Sequence, residues 1–178
     1  MKIIKRILIG LLIIGLIPFV VAIFVKKQYA VEKDIAINKP DSLVFNYVKL
    51  LTNQDNYSKW ANMDKDMEKT YTGIDGTVGF VSAWKSNKKD VGVGEQEIVK
   101  IEANRIDYEL RFKEPFESTE KAFMQTQKLT DSTTIVTWGF NGHMKYPMNL
   151  MFLFMDFEKM IGDDLSVGLS NLKVQLEK

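Results

Sequence analysis

This sequence has no cysteine. That excludes disulfides, thiolate metal sites and thiol nucleophiles together, and it suits either side of a bacterial membrane. Histidine is almost as scarce: His143, in the turn "NGHMKYP", is the only one. A catalytic histidine needs a carboxylate or nucleophile in reach, and no Ser or Asp pattern surrounds this one. A surface or pocket-rim position is expected for it. With one His and no Cys, zinc has no ligand set. A charge excess is missing too. The 24 basic residues face 23 acidic ones, for a net +1, so no long-range field points to nucleic acid. "GVGEQE" holds Gly-x-Gly, but neither a third glycine nor a helix follows it, so a phosphate cradle is excluded. "DKDMEK" alternates Asp64, Asp66 and Glu68 without the turn glycine and closing bidentate Glu of a calcium loop. No catalytic residue, no metal site and no cofactor are expected.

Long apolar runs are also few, and one stands out. From Ile7 to Val25 the chain is uncharged, with Lys2, Lys5 and Arg6 before the run and Lys26 and Lys27 after it. A helix needs ~20 apolar residues to cross the hydrocarbon of a bilayer. Pro18 is tolerable there, because neighbouring groups absorb the lost hydrogen bond. A cleaved signal peptide would have a shorter apolar region ending in a small-x-small site. The nearest candidate, Val20-Val21-Ala22, precedes three more apolar residues. Residues 1–30 are therefore expected to form a membrane anchor and residues 31–178 a separate domain. Flanking lysines nearly balance, so the orientation rests on the tendency of a short anchor to keep its basic head in the cytoplasm. The expectation is a single-pass protein of a bacterial inner membrane with its domain on the non-cytoplasmic side.

Beyond the anchor, "VEKDIAIN" alternates as a strand does, with Val31, Lys33, Ile35 and Ile37 on one face. In "KPDSLVFNYVKLL", Pro40 and Asp41 are helix-start signals. From Glu68 to Asn141 the pattern is β throughout, broken by turn signals such as "IDG", "NKKD", "EAN", "KEPF" and "TDS". "RIDYELRF" places Ile106, Tyr108, Leu110 and Phe112 on one face and charged residues on the other. Such alternation implies an antiparallel sheet covered on one side. Glu95 and Glu97 share a face, expected to be the solvated one. Strands without intervening helices exclude a parallel doubly wound sheet.

The last segment, Pro147 to Lys178, reads as one long helix. Leu150, Phe154, Phe157, Ile161, Leu165, Gly168, Leu172 and Leu176 recur at steps of three and four. Its opening, "PMNLMFLFMDFEKMIGDD", holds three Phe and four Met. The uncharged stretch there is far shorter than the ~17 residues of a minimal span. It is a helix of the domain carrying more apolar surface than one buried stripe requires.

The order strand, short helices, antiparallel strands, long terminal helix is that of the helix-grip fold, an α+β architecture. "VFNYVKLLTNQDNYSKW", "YTGIDGTVGFVSAWKSNKKDVGVGEQEIV", "EPFESTEKAFMQTQKL", "TTIVTWGFNG" and "GDDLSVGLSNLKVQLE" resemble the SRPBCC superfamily of START and birch-pollen-allergen-like proteins, in its polyketide cyclase-like branch. The resemblance covers about Val31 to Lys178. It implies a curved antiparallel sheet wrapped around the C-terminal helix, with an apolar cavity between them for a lipid or other hydrophobic small molecule. Gly92 and Gly94 match a strand-turn position. Where relatives carry a second aromatic soon after Trp60, this chain has Ala61, Asn62 and Met63, so the pocket mouth is expected to differ. The wall implied by the resemblance comprises Trp84, Phe112, Phe123, Trp138 and Phe140 from the sheet. Met151, Phe154, Phe157 and Ile161 would face them from the last helix.

Three readings follow. The first is membrane-tethered binding of a hydrophobic molecule or lipid. The second is a cyclase- or hydrolase-like enzyme using the same cavity, and no convergent set of titratable residues supports it. The third is a protein-interaction module whose aromatic residues merely fill its core, since a full cavity and an empty one look alike in sequence.

Overall fold

A computed structural model describes residues 2–178. Helix α1 runs over Lys2–Phe24, and its stretch Ile3–Phe24 is long and apolar enough to cross a membrane. Strand β1 (Gln28–Ile37) follows, then α2 (Asp41–Val48), a 3-10 helix (Leu51–Asn56) and the short α3 (Lys59–Met63). Six strands come next: β2 (Glu68–Thr72), β3 (Val81–Lys85), β4 (Val93–Glu102), β5 (Arg105–Glu114), β6 (Ser118–Lys128) and β7 (Thr134–His143). A second 3-10 helix (Met148–Leu153) and α4 (Phe157–Glu177) close the chain.

The seven strands form one open antiparallel sheet in the order β1-β7-β6-β5-β4-β3-β2. Alternation decides which face is covered. Ile106, Tyr108 and Met124 are fully buried or nearly so, as are Val136 and Trp138. They share the concave face with Val31 and Ile37 of β1, against Leu165, Leu169 and Leu172 of α4. Burying a Leu or Val side chain stabilises by ~1.5–3 kcal/mol each, which makes this layer the core. The opposite face carries charge: Arg111 bridges Glu95, Glu97 and Glu109 at 2.7 Å each.

The expected single helix from Pro147 onward is two pieces. A 3-10 turn over Met148–Leu153 stops before Asp156, whose side chain accepts a hydrogen bond at 2.9 Å from the Lys159 backbone N–H and caps α4. The reason lies outside the segment. Asn149 is wholly buried, and its Nδ2 donates to the carbonyls of Ala22 (2.7 Å) and Val25 (3.0 Å) at the end of α1. Those carbonyls have no intrahelical partner at a helix terminus. The long-range tie holds 148–153 across the end of α1, and α4 restarts beyond it. β1 likewise begins at Gln28, before the expected Val31, because its first residues pair with β7 in the register Gln28↔His143.

Candidate functional site

A cavity of about 240 Å³ lies between the concave sheet, α4 and the short helices after β1. β5 contributes Leu110 and Phe112, and β7 contributes Trp138 and Phe140. Ile161 and Leu165 of α4 form the opposite wall. Lining residues that also reach solvent, such as Ala61 of α3 and Asp90 and Val91 of the β3–β4 turn, frame the mouth.

Each aromatic is held by a neighbour. Trp138 meets Tyr57 and Trp60 edge-on, with ring centroids 5.8 and 6.1 Å apart. Trp84 meets Phe112 edge-on at 5.8 Å, and its Nε1 donates to the Val91 carbonyl at 3.3 Å. Such pairs contribute ~0.5–1.5 kcal/mol beyond burial. Two glycines make room. A Cβ on Gly94 would stand 2.6 Å from Trp84 Cζ2, and one on Gly168 of α4 would stand 2.7 Å from Trp138 Cζ3. Gly92, at φ +66°, turns the chain where a Cβ would meet the Glu114 carbonyl.

The sequence-derived wall residues divide into two sets. Trp84, Phe112, Trp138, Phe140 and Ile161 line the cavity. The other four lie elsewhere. Phe123 is on the convex face, lying over Gly139 with the Arg105 guanidinium 3.6 Å above its ring. Strand alternation explains it, since Ala122 and Met124 take the inward positions. Met151 is half-buried on the 3-10 helix, and Phe154, in the break before α4, is 85% exposed. Phe157 joins Tyr29 and Phe152 in a cluster behind Phe140, with centroids 5.4–6.1 Å apart. The restart of the helix at Phe157 turns that residue away from the cavity.

Polar groups that pattern reading missed are also there. Asp75 caps the first 3-10 helix from a distance, accepting from the backbone N–H of Leu51 at 2.8 Å and of Thr52 at 3.2 Å. So held, the segment presents Gln54 and Asp55 to the cavity. Gln54 is buried to 9% exposure, and its Nε2 has no hydrogen-bond partner among the described residues. The Tyr108 hydroxyl beside it makes no hydrogen bond of good geometry among them either; burial pushes its pKa well above the ordinary value, and the Gln54 amide, close enough to bond it, pulls weakly the other way. Asp55 pairs with Lys69 at 2.8 Å on the cavity wall.

Glu120, another inward group of β6, is buried and accepts the His143 backbone N–H at 2.7 Å. Burial raises its carboxyl pKa above the usual range, against the lowering effect of that hydrogen bond. The His143 side chain is exposed. Asp64 accepts from Ser86 Oγ at 2.5 Å, and that bond holds its pKa below the usual value. Glu95 and Glu97 point to the convex face, where Arg111 holds them.

No family model matches the chain, and no curated protein matches it. Solved structures do. Truncated norcoclaurine synthase from Thalictrum flavum superposes with a TM-score of 0.65 at 5% identity, over 84% of this chain and 93% of that one. The same enzyme in complex with dopamine and hydroxybenzaldehyde matches with a TM-score of 0.61 at 6% identity, over 84% and 86%. Ara h 8.0201 matches with a TM-score of 0.55 at 12% identity, over 84% and 95%. Likeness at such identities is one of architecture. The chain has the helix-grip fold, a curved antiparallel sheet closed around a long C-terminal helix.

Proposed function

We propose that this chain binds a small, largely apolar molecule in the cavity beneath α4, while α1 anchors residues 31–178 to a membrane. The observation that carries the reading is the cavity itself: walls of Trp84, Phe112, Trp138 and Phe140, with a few polar side chains, Gln54, Ser82 and Gln96 among them, in the lining. Pockets of this composition bind apolar bodies and orient them through a few polar groups. The volume, about 240 Å³, is below the usual ~300–1,000 Å³ of ligand pockets, which favours a compact ring system over a two-chain lipid. Neighbours of the same fold support it: one was solved with dopamine and hydroxybenzaldehyde bound. Trp84, Phe112, Trp138, Phe140 and Ile161 would form the contact surface.

An enzyme of cyclase or hydrolase type is the second reading, favoured by the Asp55–Lys69 pair on the cavity wall.

All three tryptophans of the chain, Trp60, Trp84 and Trp138, line the cavity, so intrinsic fluorescence reports on it directly. The full chain is titrated with a panel of phenols, aromatic amines and fatty acids. A saturable change for compact ring compounds carrying a polar group is expected, weakened severalfold by Gln54→Leu with little change in melting temperature. Absence of any saturable change, with no small molecule carried through purification, would overturn the binding reading. Turnover of a bound compound, lost in Lys69→Met, would favour the enzyme.

A further inference from the structure

The residues around the end of α1 leave an apolar patch that the cavity does not use. Phe154 is 85% exposed and Leu153 56%, and Met148 and Met155 are exposed beside them. Phe24, the last residue of α1, is 84% exposed. The patch is fixed to α1 and does not trail from it. Ala22 is fully buried, Asn149 Nδ2 bonds the carbonyls of Ala22 and Val25, and the Tyr146 hydroxyl donates to the Phe19 carbonyl at 3.2 Å. Lys26 adds an ion pair with Glu158 at 2.7 Å while lying over the Phe152 ring.

We propose that the segment Met148–Met155 is a second membrane contact, inserted into the interfacial layer of the bilayer that α1 crosses. The inference rests on the reading of α1 as a membrane span. With ~1.5 Å of rise per residue, the 22 residues of Ile3–Phe24 measure about 33 Å, against ~30 Å of hydrocarbon. The last turn of α1 therefore lies at the boundary between acyl chains and headgroups. Tyr146, tied to Phe19 five positions earlier, sits about 8 Å deeper along α1 by the same rise, within the ~5–10 Å reached by interfacial segments. A tyrosine suits that level, its ring among acyl chains and its hydroxyl on a polar partner. The segment is too short to span, and its exposed Leu, Met and Phe side chains match what interfacial segments bury. Lipid is the occupant because the patch adjoins the end of α1: Tyr146 and Asn149 tie its flank to Phe19 and Ala22, and Lys26, two residues past α1, shares one surface hollow with Leu153 and Phe154.

The orientation of the whole sheet follows. β1 begins and β7 ends beside this patch, in the register Gln28↔His143, and the β6–β7 turn around Asp131 lies at the far end of ten-residue strands. At ~3.3 Å per residue, that turn stands about 33 Å from the patch along β7.

Lack of native cysteine makes the test direct. Leu12→Cys, Phe154→Cys and Asp131→Cys, each labelled with an environment-sensitive fluorophore, are placed in the full chain in phosphatidylcholine–phosphatidylglycerol vesicles. Lipid carrying a nitroxide near the headgroup end of its acyl chain is the quencher. Quenching of the Phe154 label several-fold above that of the Asp131 label, with the Leu12 label also buried in lipid, is the expected result. Phe154 and Asp131 labels quenched alike, while Leu12 is lipid-buried, would overturn the contact and leave the anchor standing. A Leu12 label facing water would overturn both. Crosslinking of unlabelled Phe154→Cys to a second copy, together with no lipid quenching of the labelled protein, would assign the patch to self-association and overturn the proposal.

Discussion

Gly94 shows how one absent methyl shapes the site. Its neighbour across β3 and β4 is Trp84, and the indole lies where a Cβ would be, 2.6 Å from Cζ2, with the Arg111 carbonyl at 2.9 Å on the same side. Gly94→Ala must therefore move either a large ring or the backbone of β5. Overpacking of that kind costs ~1–3 kcal/mol. The variant is expected to unfold at lower denaturant concentration and to show shifted tryptophan emission. Unchanged emission would mean that the backbone yields and the ring does not. Phe154 is the contrasting case: exposed, outside the cavity and free of core contacts, it is expected to tolerate Ala within ~0.5 kcal/mol. Sequence spacing placed it on the same stripe as Phe157 and Ile161, because periodicity records intervals and not where a helix begins. Phe123 departs from its expected place for a related reason. It is as apolar as its inward neighbours, and only the β6 register, with Gly139 beneath its ring, shows that it packs on the outer face.

At the scale of elements, the break between Met148–Leu153 and α4 depends on both near and distant residues. Asp156 followed by Phe157 and Glu158 is a legible local start signal, an N-cap with an acid in the first turn. The spacing of Leu150, Phe154 and Phe157 runs straight through it, as one unbroken helix would. The distant cause, Asn149 reaching back to α1, left no pattern in the sequence. Asp156→Ala removes the cap bond to Lys159 N and is expected to cost ~1 kcal/mol, seen as a lower melting temperature with helix content nearly unchanged. A gain in helicity instead would mean that the capping aspartate is what keeps the two pieces apart. The strands were more legible. In β5 one face alternates apolar and the other charged because one side meets the core and the other meets water, and period-two sequences record that directly.

For the molecule as a whole, the sheet and its covering helix could be read from the sequence, while the cavity could not. Cavity volume depends on how far Trp138 and Trp84 can approach α4 and β4, which Gly168 and Gly94 determine from distant parts of the chain. Acid response is also a property of the whole. Glu95 is held below the usual carboxylate range by Lys113 and Arg111, so its stabilisation is present above its unfolded pKa of ~4.3 and lost as pH falls through the lowered value. Glu120 acts in the opposite direction. Its raised pKa means that its contribution is complete below the unfolded value and is lost as pH rises through the folded one. Glu120→Gln keeps an acceptor for the His143 N–H and removes the titration. Its melting temperature relative to the parent is expected to be higher at pH 7 than at pH 4. An equal difference at both values would show that burial of Glu120 does not couple to folding.

The sheet order has a further consequence, for the timing of folding. Among the described residues β1 precedes the other strands of the sheet in sequence, yet it pairs there only with β7, the one farthest from it, with Gln28 opposite His143 and Ile37 opposite Thr134. α4, which covers β1, comes later still. Topologies dominated by such distant pairings fold slowly, because the loop must close before any contact compensates for the lost entropy. A newly made β1 therefore waits unpaired until β7 has been made. Its central Glu32, Lys33 and Asp34 are suited to that interval, since charges along a bare strand edge discourage pairing with strands of other molecules.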